Sequence, residues 1–346
     1  MKDVKTFAIY RLPDEETIHL IEPTATSVSC RLETSYESQT GFVMVPFCED
    51  GQHLPIIIRR GVHCMVERCD VVDLLRAHGI IAHTEALEAI TTHETQRTYM
   101  ASYDRFHKAL ESGHYQKLVL SQTFPILMTD PVQTFVQLLD AYPHSLVYVA
   151  YSPEAGMWLG ASPEVLLKAD DDRLSTMSLA GTKSRGDEPW DEKNQREQAY
   201  VTDYIREVVA SYGDDLHEDG PRTMQTGNLY HLCTTFDFRL KASHTLYDVV
   251  EALHPTPAVC GLPKREAMQF ISSHESHQRS YYAGYVGPLN VDGHTQFHVN
   301  IRCAECHADG TATSYAGSGL LLSSDADSEW QEVMRKAQTI DMGMNE

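Results

Sequence analysis

The stretch GMWLGASPEVLLKADDDRLSTMSLAGTKSRG (156–186), continued by DEKNQREQAYVTDYIREVVASYG (191–213), decides the fold. Its first half is two β-like runs separated by the acidic turn Asp170-Asp171-Asp172, and reads as an antiparallel meander with a solvated hairpin tip. In its second half Val201, Tyr204, Ile205, Val208, Val209 and Tyr212 recur with the helical period, and Gly213 ends the run. Strands that turn back on themselves and then feed a long amphipathic helix predict a mixed α/β (α+β) protein. Glu197 lies four residues before Val201, on the stripe that faces inward. A carboxylate aimed at a core must be paired or metal-bound, because desolvating it alone costs too much.

Upstream, SLVYVAYS (145–152) is a further strand. In YQKLVLSQT (115–123), period-two alternation puts Tyr115, Lys117, Val119 and Ser121 on one face and Leu118 and Leu120 on the other. Tyr99, Tyr103, Phe106 and Leu110 form the stripe of a helix over 98–112, closed by Gly113. Downstream come a short helix at LYDVVEAL, the loop HPTPAVCGLP (254–263), a helix at KREAMQFI and a strand block over 282–318. The last helix, about 327–339, carries Trp330, Val333, Met334 and Ala337 on its apolar stripe, with Glu329, Glu332 and Lys336 as a charged seam beside it. Residues 1–95 hold short β-like runs such as GFVMVPF and LPIIIRRGVHCMV and read as the N-terminal β-rich part of the same domain. No Gly/Ser-rich linker sets them apart from 96–346, so one domain is expected.

A formal charge of −21 over 346 residues works against holding a polyanion, so nucleic acid and anionic membranes are poor partners. The N-terminus has no apolar block of secretory type and no stretch is long enough to span a bilayer, so a cytoplasmic protein is expected. The eight cysteines then read as reduced thiols. Cys303-Ala304-Glu305-Cys306-His307 has the form of a c-type haem attachment site, but it falls in a strand, which sends residues 303 and 306 to opposite faces. Incidental thiols are the better reading.

Several charged groups stand where surface logic does not want them: Lys117 in an apolar strand, Glu164 in GASPEVLL, Glu197 on its inward stripe, and Glu332 with Lys336. Singly, each has a plain explanation, such as a snorkelling lysine or an i,i+4 surface pair. Together they suit an acid, a base and a divalent-cation site, although spacing does not show that they meet.

With these segments in view, the chain resembles the chorismate-utilising enzymes, in the isochorismate synthase branch of that family. The matching segments are KLVLSQ, GASPEVLL, LAGTKSRG, DEKNQREQAYVTDYI, YHLCTTF, HPTPAVCGLPKREA, ESHQRSYYAGYVG, IRCA, YAGSGLL and SEWQEVMRKAQTI, in the family's order over about 97–340. The resemblance implies two stacked, mostly antiparallel β-sheets flanked by helices, with the site in a cleft between them. It implies Mg²⁺ on Glu197 and Glu332, Lys117 as the base that activates water for attack at C2 of chorismate, and Glu164 as the acid that protonates the departing C4 hydroxyl. Arg302, Tyr282, Gly319 and Lys336 match positions that bind the substrate carboxylates. Gly181 and His231 match positions lining the ring and leaving hydroxyl. An ordinary turn glycine and a hydrogen-bonded core histidine are the plain alternatives for these two.

Free Lys titrates near 10.4 and free Glu near 4.3, so each starts in the wrong protonation state for its task, and burial moves both the required way. Lys117 favours water as the nucleophile, Ala180 stands where an ammonia-transferring relative has its lysine, and Ala258 stands where salicylate- and anthranilate-forming relatives have Thr. The expected product is isochorismate. Salicylate- or anthranilate-type conversion, or a non-enzymatic chorismate-binding protein, remain as alternatives. Gln122 and Gln198 depart from the Arg and His frequent in the family. A monomer is expected, with a homodimer open; the pathway served, whether menaquinone, siderophore or salicylate, is not legible.

Overall fold

The computed structural model describes residues 4–24, 30–83 and 92–340, so parts of the spans 1–95 and 96–346 lie outside the described residues. Among the described residues the strands form two nine-stranded sheets in which every pairing is antiparallel. The first runs in the order Gly261–Leu262, Lys117–Leu127, Thr311–Leu320, Cys303–Cys306, Gly156–Ser162, Leu146–Ser152, Phe7–Arg11, Ile18–Glu22, Val62–Val66. The second runs Gly213–Thr226, Leu229–Leu240, Arg173–Lys183, Val165–Asp170, His294–Val299, Tyr285–Leu289, Gly41–Val45, Ile56–Arg59, Cys30–Arg31. Strands from residues 7–66 therefore extend both sheets at one end.

The run LVYVAYS is buried on both faces, which explains why it is continuously apolar and not alternating. Leu146, Tyr148 and Ala150 face the core between the sheets, while Val147, Val149 and Tyr151 face a second core under the Pro131–Ala141 helix. Cys303 and Cys306 divide the same way, one into each core, and both are buried. The haem-like spacing is thus incidental to a strand.

Over the other end of the sheets lie the long helices. Asp191 caps Glu192–Tyr212 by accepting from Asn194 N at 2.7 Å, and Val201, Ile205 and Val209 pack into the main core. Asp325 caps Ala326–Ala337 in the same manner, and Trp330, Val333 and Ala337 are buried. The seam of Glu329, Glu332 and Lys336 is not a surface feature: Glu329 and Glu332 are buried because that side of the helix faces Lys193 and Glu197. The Pro131–Ala141 helix, not among the elements expected above, does carry local signals, with Asp130 as its N-cap, Pro131 in the first turn and Val132, Phe135, Leu138 and Leu139 on its buried stripe. The mostly polar edge strand Gly213–Thr226 carries none and holds its place by pairing with Leu229–Leu240.

Candidate active site

A pocket with about 600 Å³ of space unfilled by protein, part of it open to solvent, lies between the two sheets and the two capped helices. Glu164, Gly181, Glu197, His231, Ala258, Tyr282, Arg302, Gly319 and Lys336 all line it. Lys117 and Glu332 are not on its wall. They stand one contact behind it, Lys117 against Glu197 and Gly319, and Glu332 against Lys336.

Glu164 follows the strand Gly156–Ser162, and its backbone is fixed by Val299 N donating to Glu164 O at 3.0 Å. Burial pushes its carboxyl up to about 7, against the opposing pull of Lys117, a Thr256 hydroxyl at 3.4 Å and Lys336. It is therefore a carboxyl that carries its proton through much of the neutral range. Thr256, in the loop 254–263, was not singled out from the sequence, where nothing marks it as a partner of residue 164.

Lys117 is 0% exposed, and its ammonium lies 3.0 Å from Glu197 Oε1, an ion-pair contact outside hydrogen-bond geometry. Burial pulls its pKa down while Glu197 opposes the shift. On Glu197 burial acts upward, but Lys117, Lys193 and Lys336 overcome it and hold the carboxylate down to about 2. The inward Glu197 is thus paired, through cations that its own helical stripe does not reveal. Lys193 could have been found, since it precedes Glu197 by one helical turn.

The pair can form because residue 319 has no side chain. A Cβ there would sit 2.0 Å from Glu197 Oε1 and 2.7 Å from Lys117 Cε. Gly319→Ala should therefore push the carboxylate and lysine apart, with a cost of about 1–3 kcal/mol and a large loss of activity. Thermal denaturation and initial rates check this; a variant matching wild type in both would show that the contact relaxes freely.

On the far wall, His231 Nδ1–H donates to Gly181 O at 2.8 Å, which leaves Nε2 to accept from Arg302 at 3.3 Å. Burial, with Arg302 and Lys336 nearby, lowers His231 to about 3, so the ring is neutral at physiological pH. Gly181 adopts φ +68°, its Cβ position facing Asn194, whose Oδ1 accepts from Thr182 N at 2.9 Å. This turn aims the Gly181 carbonyl at the histidine.

Arg302 is buried, donates to Thr339 Oγ1 at 3.0 Å, and has no carboxylate within ion-pair distance among the described residues. A buried guanidinium without an anion is set up to receive one, and its planar fork suits a carboxylate. Tyr282, stacked on Tyr315 with ring centroids 5.2 Å apart, and Lys336, which donates to Gly317 O at 2.9 Å, complete that side. Tyr282 is held by the buried pair Glu275–Arg279: its N–H donates to Arg279 O at 2.9 Å, and Arg279 also donates to Val119 O and Val259 O.

For a divalent cation, the donor set is Glu197 and Glu332, with Glu329 beside them. No three His, Cys, Asp or Glu side chains among the described residues converge as a ready-made metal cage. Still, Glu329 Oε2 is a buried oxygen without a hydrogen-bond partner, and each of the three carboxylates acts on another electrostatically. Hard oxygen ligands from one or two carboxylates, completed by water and substrate, are what Mg²⁺ accepts, so the residues fit it.

A buried carboxyl raised to about 7, a buried lysine of depressed basicity and a buried arginine without an anion lie together between two antiparallel sheets, an arrangement suited to acid–base chemistry on a small carboxylate. Residues 67–344 match the family model described as chorismate binding enzyme, and the chain belongs to that family. The isochorismate synthase EntC of Escherichia coli (strain K12) is 31% identical over 260 residues, which cover 71% of this chain and 66% of EntC. The chain thus spans about two thirds of the length of that relative. The structure of MenF, the menaquinone-specific isochorismate synthase from Escherichia coli, shares the fold with a TM-score of 0.77 at 20% identity, over 98% of this chain and 88% of that one. Anthranilate synthase component I from Streptococcus pneumoniae TIGR4 shares it with a TM-score of 0.70 at 19% identity, over 97% and 92%.

Proposed function

We propose that the protein is an isochorismate synthase, an isomerase that converts chorismate to isochorismate with Mg²⁺ as cofactor. The observation that carries the reading is a pair of opposite pKa shifts: burial raises Glu164, on the pocket wall, to about 7 and lowers Lys117, one contact behind that wall. Lys117, as the neutral amine, takes a proton from water as the water oxygen bonds to C2. The ring double bonds shift, the C4–O bond breaks, and Glu164 delivers its proton to the departing hydroxyl, which leaves as water. Arg302 would hold one substrate carboxylate, with Tyr282 stacked nearby, and neutral His231 would line the ring. Mg²⁺, held by Glu197 and Glu332, would supply positive charge for the ring carboxylate. The relatives named isochorismate synthase support this outcome over the anthranilate-type one, because the antiparallel fold alone is common to both.

Incubation of the purified protein with chorismate and Mg²⁺, followed by chromatographic separation of products, tests the reading. Isochorismate is the expected main product. Salicylate or anthranilate in its place would reassign the reaction, and an absence of turnover with retained chorismate binding would leave a binding protein.

A further inference from the structure

One partly buried cation beside the site has no task in the reaction above. Lys193 lies in the first turn of the Glu192–Tyr212 helix, where the helix dipole disfavours positive charge, so helix stability does not account for it. Its ammonium lies 3.2 Å from Glu197 Oε2 and 2.9 Å from Glu329 Oε1. Those contacts tie this helix to Ala326–Ala337, which supplies Glu329 and Glu332. Ser324 Oγ donates to Glu329 Oε1 at 2.7 Å, while Glu329 Oε2 is left without a hydrogen bond.

The charges around this point can be counted. Glu197, Glu329 and Glu332 face Lys117, Lys193 and Lys336, and Lys117 must be uncharged when it acts as a base. Without Lys193, buried carboxylates on two helices would repel one another with too few cations between them. A divalent cation at Glu197 and Glu332 would supply the same positive charge, and would meet Lys193 as a like charge competing for Glu197.

We propose that Lys193 is a positioning residue, an internal counter-cation that holds Glu197 and Glu329 together across the two helices in the metal-free protein and opposes the divalent cation that takes over their charge. This rests on the assignment of Glu197 and Glu332 to Mg²⁺. Lys193 then sets the affinity for the metal and keeps the empty site folded, without touching the substrate.

The test uses the full chain with MgCl₂ alone as the probe. Calorimetry and thermal denaturation would compare wild type, Lys193→Met and Lys193→Arg, in EDTA and across a Mg²⁺ titration. Lys193→Met should melt lower in EDTA, yet bind Mg²⁺ tighter by about tenfold or more, because a nearby like charge is gone. Lys193→Arg should stay close to wild type in both. A purely structural lysine would give weaker metal binding when removed, so unchanged or weakened Mg²⁺ affinity in Lys193→Met overturns the proposal. If wild type itself shows no Mg²⁺ binding, the metal assignment falls first, and the exchange falls with it. Should Lys193→Met fail to fold, Lys193→Met combined with Glu329→Gln removes the cation with one of its carboxylates. Recovery of the metal-free melting temperature in that double variant supports charge compensation, and failure to recover it overturns the counter-cation role.

Discussion

Lys117→Ala is expected to lower turnover by about two to four orders of magnitude, the range that a positioned general base supplies, while the protein stays folded. Lys117 is completely buried at the start of the strand Lys117–Leu127, and its ammonium has Glu197 as its ion-pair partner. Removing one member of a buried pair ordinarily leaves an uncompensated charge and a heavily destabilised protein. Here Glu197 keeps Lys193 at 3.2 Å, and Lys336 also acts on it, so its negative charge remains compensated. Stability and activity therefore separate. Lys117→Arg sharpens the result: arginine keeps the positive charge but stays protonated, so it cannot act as the base. If both variants lose activity alike and melt near wild type, proton removal is the function of the residue. Activity within about tenfold of wild type in Lys117→Ala would take the base role away from it.

The strands and helices that build this pocket were largely legible because their signals are local. The Thr92–Glu111 helix shows the stripe of Tyr99, Tyr103, Phe106 and Leu110, and the meander from Gly156 to Lys183 alternates around an acidic turn. The edge strand Gly213–Thr226 was not legible, since its sequence GDDLHEDGPRTMQT is mostly polar, with no apolar alternation, and its strand character comes from the partner Leu229–Leu240. Site residues show the same division. Glu197 announced itself as a carboxylate on an apolar stripe, but what satisfies it could not be read from that stripe. Lys117 comes from the other sheet, and Glu329, which shares Lys193 with it, sits on a helix more than a hundred residues further along. Likewise, burial raises Glu164 against the pull of the Thr256 hydroxyl, and burial lowers His231 with Arg302 at its Nε2, all through residues distant in sequence. Residue types and spacing named the candidate acid and base through a resemblance; three-dimensional packing supplies the pKa shifts on which the proposed roles depend.

Glu164→Gln should remove the general acid while improving the fold at alkaline pH. Burial raises the Glu164 carboxyl from 4.5 to about 7, so the native state prefers the protonated side chain. Stability from that preference is fully present below pH 4.5 and is lost as pH rises through about 7, because above it a buried carboxylate must be ionised. For a carboxyl that titrates at 4.5 in the unfolded chain and near 7 in the folded one, that loss is roughly 3 kcal/mol. Glutamine is neutral at every pH and of nearly the same shape, so the variant should melt above wild type at pH 8 and close to it at pH 5. Catalysis should move the opposite way. The amide has no transferable proton for the C4 hydroxyl, and turnover should fall by about two to four orders of magnitude. In wild type the same ionisation removes the acid, so kcat/KM should decline above about pH 7. In the proposed mechanism Lys117 acts in the other sense, since it must lose its proton, and burial favours that neutral form. Any residual activity of Glu164→Gln should lack the falling limb near pH 7. A residual profile that keeps that limb would assign it to another group, and a variant that turns over at the wild-type rate would place the proton donor elsewhere in the pocket.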